Sequence, residues 1–258
     1  MVTHPTSEFR RHPVSDTGLR LRHTRVGLDG AAEVFEELCF PGTDRLRISV
    51  LVLWADVIAG LLTGFEVAPR VPVTLELSLD VFGPARVGSA VELSASVAKT
   101  GSAVTHVELE VLVDGTPAGL GSASFMLAPD ITLVLPDSTE SLHAFDGELR
   151  LSQPYAEQVG CERLGPGSAR LPHTHQTTNA SRTVNGGLIA VAVEEAVLAA
   201  EPAGVVVDAM ALRYVRAARV GPVLAYAEPF GNRRRVQVVD AGSPDRRECV
   251  RASVRVGR

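Results

Sequence analysis

Cysteine is scarce in this chain of 258 residues: three in all, Cys39, Cys161 and Cys249. An odd, scattered set excludes a disulfide framework and has no metal-type spacing, so neither a structural metal nor another cofactor is expected. Long apolar runs are missing as well: no stretch approaches the roughly 18 uncharged apolar residues of a membrane span. The opening MVTHPTSEFRRHPVSD has no apolar core of the kind that marks a signal peptide. A cytoplasmic protein with no membrane partner is the expectation, and Asn179-Ala180-Ser181 is then a chance match to the glycosylation pattern. Positive charge is also in deficit. Twenty-five Lys and Arg face thirty Asp and Glu, a net charge of −5, which argues against a nucleic-acid partner.

What is present is ordinary for a globular protein: 45% hydrophobic and 21% charged residues. The length suits one large domain or two of about 100–150 residues. Charge is unevenly spread. Residues 213–258 hold eleven arginines and four acids, whereas 75–128 hold two basic residues and six acids. The basic stretch reads as a solvated surface or as a landing site for an anionic ligand, with Arg233, Arg234 and Arg235 its densest part.

The chain also reads twice. RISVLVLWADVIAG at 47–60 and NGGLIAVAVEEAVL at 185–198 are apolar, helix-like runs with an acid ten residues in. These acids are Asp56 and Glu194, 194 − 56 = 138 positions apart. A carboxylate inside an apolar helix is costly unless it is used. Glu194 has Glu195 beside it, and one of that pair is expected at the surface. Alternating stretches follow each run: 73–82, 90–98, 104–113 and 118–127, then 204–215, 222–230, 234–240 and 248–256. ARVG occurs in both sets, at 85–88 and 218–221. Ahead of the first run, 19–27 reads as a strand and 31–39 as helix or strand. Ahead of the second, 152–160 reads as a short helix and 161–171 as a strand pair turning at Gly165-Pro166-Gly167. Such a sheet must bury one face, and the apolar helix is its available partner. The boundaries follow: a flexible tail at 1–18, a first unit at 19–128, a linker at 129–149 and a second unit at 150–258.

Each unit resembles the hotdog fold, in which a curved antiparallel sheet wraps one central helix. The C-terminal unit is similar to the phenylacetyl-pathway-type acyl-CoA thioesterases, relatives of 4-hydroxybenzoyl-CoA thioesterase. That family has an Asn, then His-Gly-Gly six residues later at the helix start, then an acid nine residues beyond the His. Here the matching residues are Asn179, Asn185-Gly186-Gly187 and Glu194, with Asn185 in place of the His. The N-terminal unit has Arg47-Ile48-Ser49 and Asp56 at those places, and Pro41 for the Asn. The resemblance covers roughly 45–128 and 150–256. It implies an α+β double hotdog: two antiparallel curved sheets, each wrapped around a central apolar helix.

The motif spacing also says which residues can share a site. Gly186 and Glu194 are eight residues apart on one helix, about 12 Å, and cannot both reach one carbonyl. Hotdog units pair so that the helix start of one lies near the acid of the other, which implies two pockets here. One holds Asp56 with Asn179, Asn185, Gly186 and Gly187; the other holds Glu194 with Arg47, Ile48 and Ser49. Related thioesterases carry a Ser or Thr eighteen residues past the acid. That is Thr74 in the first unit, while alignment through ARVG gives Val207 in the second. The first pocket is therefore expected to be active and the Glu194 pocket degenerate.

The implied activity is hydrolysis of an acyl-CoA, in the setting of fatty acid metabolism. Asp56 acts as general base or nucleophile, Thr74 positions it or the water, and the Gly186 N–H polarises the carbonyl. Asn179 braces the loop or the substrate, and Arg233–Arg235 offer sites for the coenzyme phosphates. A non-catalytic acyl-CoA binder is the alternative; a hydratase ranks below it because neither helix run contains a His. Further association of such units into a homo-oligomer is also expected.

Overall fold

The computed structural model describes residues 12–135, 145, 150–179 and 181–257. Most of the expected tail (1–11) and much of the expected linker (136–144 and 146–149) lie outside the described residues.

Two helices organise the chain. Helix α1 spans Ile48–Val67 and stops where Pro69 denies it a backbone donor. Its β-branched composition gives weak local propensity, so burial must stabilise it. Thirteen of its twenty residues are buried. By length and hydropathy α1 could cross a bilayer, yet 72% of its most apolar 18-residue window is buried inside the protein. A one-turn helix α2 follows at Tyr155–Gln158, and α3 spans Gly186–Ala200. Helix α3 is capped by Asn185, whose side-chain oxygen accepts the Leu188 N–H at 3.2 Å.

The first-half strands are β1 (Arg20–His23), β2 (Gly27–Glu33), β3 (Pro72–Val81), β4 (Ala90–Thr100), β5 (Val104–Val113) and β6 (Thr116–Leu127). The second half supplies β7 (Glu162–Gly165), β8 (Ser168–Leu171), β9 (Val206–Tyr214), β10 (Val223–Phe230), β11 (Arg233–Asp240) and β12 (Glu248–Gly257). Helix α1 packs against β2–β6, and α3 against β7–β11. The expectation of two sheets needs correction: all twelve strands form one continuous sheet, ordered β1-β2-β4-β5-β6-β3-β9-β12-β11-β10-β8-β7. The halves join edge to edge through antiparallel β3 and β9. Pairing these edges satisfies the backbone groups that two separate sheets would leave open.

That seam lies on a local two-fold relation. ARVG gives an offset of 218 − 85 = 133 between equivalent strand residues. Ser78 pairs with Ala211, and 211 − 78 is again 133, so each faces its own counterpart. For the helices the offset is 138, and the difference of five equals the difference in helix length, 20 against 15 residues. The chain enters each helix alike. Leu46 N–H donates to the Ala85 carbonyl and Val184 N–H to the Ala218 carbonyl, both at 2.9 Å.

Three further expectations are corrected. Residues 19–27 are not one strand, because Thr24 and Gly27 close a turn between β1 and β2. Residues 31–39 divide into the end of β2 and a 3-10 turn at Glu36–Leu38. The tail is not loose up to residue 18. Thr17 is buried, bridges to Arg150, and accepts the Trp54 indole N–H at 2.8 Å, satisfying a donor at the centre of the core.

Candidate active site

Helices α1 and α3 pack so that the N-terminus of each meets the middle of the other. The close approach falls at Gly187, where a Cβ would lie 2.7 Å from Leu53 Cδ1 and 3.0 Å from Leu53 Cα. Only a residue without a side chain lets the helices come this near. The packing carries Asp56 to the open end of α3. Its Oδ2 accepts the Gly187 N–H at 3.0 Å, a bond across 131 residues of sequence. Its Oδ1 accepts the Thr74 hydroxyl at 2.9 Å. Thr74 reaches inward because β3 has a register irregularity between Thr74 and Glu76. In strict alternation Thr74 would share the face of Glu76 and Ser78 rather than that of Leu77 and Leu79; the extra residue reverses the parity.

Burial pushes the Asp56 carboxyl above its ordinary value, against the pull of the Thr74 and Gly187 hydrogen bonds. The acid is thus held in place, partly dehydrated, and made more basic. The Gly186 N–H has no acceptor among the described residues. It stands at the positive end of α3, beside Asp56, where a Cβ on Gly186 would come 3.4 Å from Asp56 Oδ2. Tyr214, at the end of β9, closes the group by donating its hydroxyl to the Gly186 carbonyl at 3.0 Å. Burial and the adjacent Asp56 hold that phenol well above its ordinary value, so it remains a donor.

Of the residues expected in this site, Asp56, Thr74, Gly186 and Gly187 are brought together. Asn185 adjoins them, but its oxygen is committed to capping α3. Asn179 braces the loop, its oxygen accepting from Ser181 N–H, Thr183 N–H and the Thr183 hydroxyl at 3.0, 3.2 and 3.1 Å. The arginine run is not brought here. Arg234 pairs with Glu201 at the C-terminal end of α3, about 22 Å from Gly186 along the helix. Arg235 lies over the Phe230 ring at 4.3 Å and faces Glu228 at 3.5 Å. Sequence reasoning missed Tyr214. Its one available signal was the alignment through ARVG, which sets this tyrosine opposite Val81.

The second constellation repeats the first, but its acid is fully engaged. Ser49 N–H donates to Glu194 Oε1 at 3.1 Å, matching Gly187 N–H on Asp56. Ser49 Oγ adds a bond to Oε2 at 2.7 Å, and Arg47 Nε adds another at 2.6 Å. Arg47 also binds Glu195, which pairs in turn with Arg163 at 2.5 Å. Burial works against the Arg47 charge, but the two glutamates outweigh it and hold the guanidinium above its ordinary value. Glu194 and Glu195 are both buried, so the expectation that one faces solvent is wrong. A shared buried cation is what allows both carboxylates inside.

Comparison with known proteins finds a partial family match and a shared fold. Residues 49–118, which carry most of α1 together with Asp56 and Thr74, match the thioesterase superfamily. Among solved structures, the chain is similar to the 12:0-ACP thioesterase from Umbellularia californica at 17% identity and a TM-score of 0.62, covering 92% of this chain and 98% of that one. It is likewise similar to an acyl-ACP thioesterase from Bacteroides thetaiotaomicron at 14% identity and a TM-score of 0.59, covering 89% and 98%. No curated protein matches the chain. The match to the thioesterase superfamily is thus confined to residues 49–118, and the two solved thioesterases share the fold over nearly the whole chain.

Proposed function

We propose that the chain hydrolyses an apolar acyl thioester at the site formed by Asp56, Thr74 and the start of α3. One observation supports this above the rest: a carboxylate of raised basicity stands beside a helix N–H that has no other acceptor among the described residues. Asp56 takes a proton from water as the water oxygen bonds to the thioester carbon. The Gly186 N–H, backed by the helix dipole, holds the developing oxyanion. The carbonyl reforms as the carbon–sulfur bond breaks, and the leaving thiolate receives the proton from Asp56. Thr74 and Gly187 orient the base, and Tyr214 fixes the peptide that precedes the Gly187 N–H.

The reading includes two hotdog units, 19–128 and 150–258, joined by 129–149 and acting as a built-in dimer in a cytoplasmic setting. Its acyl donor is a coenzyme A or carrier-protein thioester, which share a pantetheine arm; the two fold relatives are named for carrier-protein thioesters. The test is thiol release from a panel of both donors, with the Asp56→Asn variant alongside. Equal rates in variant and parent would remove Asp56 from the chemistry. Binding without thiol release in the parent would leave an acyl-thioester carrier instead.

A further inference from the structure

A cavity lies at the counterpart of the Asp56 site across the two-fold relation. It has a volume of about 380 Å³ and lies over Ile48, which stands where the other half has Gly186. This volume falls within the range of small-molecule pockets. Ile48, Leu51, Val81 and Val207 supply apolar wall, and Arg45, Arg255 and Asp208 supply charge. Two substitutions between the halves explain the space and its inertness. Val81 is the equivalent of Tyr214, so no ring fills the opening (214 − 81 = 133). Val207 is the equivalent of Thr74, so no hydroxyl reaches the acid (207 − 74 = 133). Beneath, Glu194 is committed to Ser49 and Arg47.

The two rim arginines differ. Arg255 is neutralised by Asp80 and Asp208 at 2.8 Å each. Arg45 forms no ion pair among the described residues, and its neighbour Asp44 is engaged by Arg86 at 2.5 Å. Apolar walls with a rim guanidinium that forms no ion pair among the described residues match an apolar chain ending in a carboxylate.

We propose that this pocket is a second, non-catalytic binding site for a free aliphatic monocarboxylate. The choice of the acid as physiological ligand rests on the proposed hydrolysis, since that acid is the product released at Asp56. The site itself does not depend on turnover.

The experiment is calorimetric titration of the full chain with octanoate and with neutral octanol. Octanoate is expected to bind the parent and Asp56→Asn alike, with octanol at least tenfold weaker. Arg45→Ala is expected to weaken octanoate at least tenfold. Val81→Tyr, which rebuilds the ring found in the other half, is expected to abolish binding here. Both variants are expected to keep thioester turnover within about twofold of the parent, which also verifies their folding. Absence of octanoate binding to the parent overturns the proposal, as does binding unchanged by both Arg45→Ala and Val81→Tyr. A chain that binds octanoate in this way yet hydrolyses no thioester sinks the hydrolase reading and supports this one.

Discussion

Ser49 holds Glu194 by two bonds, its N–H on one carboxylate oxygen at 3.1 Å and its hydroxyl on the other at 2.7 Å. In the other half Gly187 gives Asp56 the N–H bond alone. The two acids share one backbone anchor, and the side chains around them decide their fates. Glu194 is saturated by a serine and a buried arginine, while Asp56 keeps capacity to accept beside an unengaged N–H. Duplication supplied two equivalent frames. Burying a cation in one of them turned a potential site into a strut between the helices.

That strut predicts an asymmetric stability effect. Arg47→Met leaves Glu194 and Glu195 buried without their shared cation and is expected to destabilise the fold by about 3–5 kcal/mol. Denaturant unfolding of the parent and variant measures it. The pH dependence has a definite sign. Burial would raise the Glu195 carboxyl, but Arg47 and Arg163 outweigh it and leave it below its ordinary value. Its contribution is therefore present above the unfolded carboxylate value and lost as pH falls through the lower folded value. The parent should lose stability in that acidic window, and Arg47→Met should respond less. Equal acid sensitivity in both would show that the network does not act through Arg47.

Asp56→Asn is expected to separate activity from stability. Loss of a general base costs roughly 10²–10⁴-fold in kcat. The folded protein should become more stable at neutral pH. Burial raises the Asp56 carboxyl, so the native state favours the protonated form and the ionised form costs stability above that window. The amide removes the charge and can still accept the Gly187 N–H. A variant that is inactive and melts lower than the parent would contradict the assignment of Asp56 as a strained functional acid.

Much of this was legible in sequence because it depends on spacing. The apolar runs located both central helices to within a few residues, and alternation located the eight long strands. The interval from Asp56 to Thr74 and the Asn-Gly-Gly start of α3 marked the residues that meet. What sequence missed depends on partners far along the chain. Glu195 is buried because Arg47 lies 148 residues away and bonds to it. Thr17 is ordered because Trp54 needs an acceptor. The single sheet arises from β3 meeting β9, a pairing that no local pattern encodes. The arginine run suggested phosphates by composition alone, and its position at the far end of α3 came only with the fold.

Thr74→Val is expected to shift the pH profile rather than only the rate. The threonine hydroxyl stabilises ionised Asp56, so its loss raises the carboxyl further. Asp56 must be ionised to act as base. The acidic limb of kcat/KM should therefore move to higher pH, with a rate loss of about 10–100-fold below the limb, as expected for a hydrogen bond to a charged group. Thr74→Ser keeps the donor and should restore the limb. A uniform rate loss with no movement of the limb would make Thr74 a packing residue.

The two glycines should respond differently to alanine. At Gly187 the added Cβ meets the Leu53 backbone at 3.0 Å and its side chain at 2.7 Å, so α1 and α3 must part. A destabilisation of about 1–3 kcal/mol is expected, and the Gly187 N–H bond to Asp56 should break as the helices separate. At Gly186 the nearest atoms are the Tyr214 ring at 3.3 Å and Asp56 Oδ2 at 3.4 Å, both on side chains that can adjust by small shifts. The methyl group instead stands where the thioester oxygen must approach the free N–H. Gly186→Ala is expected to melt close to the parent while losing roughly 10²–10³-fold in kcat, the usual effect of removing an oxyanion donor. Thermal unfolding and steady-state hydrolysis on the same preparations decide it. If Gly186→Ala kept full kcat, the oxyanion would have to be held elsewhere.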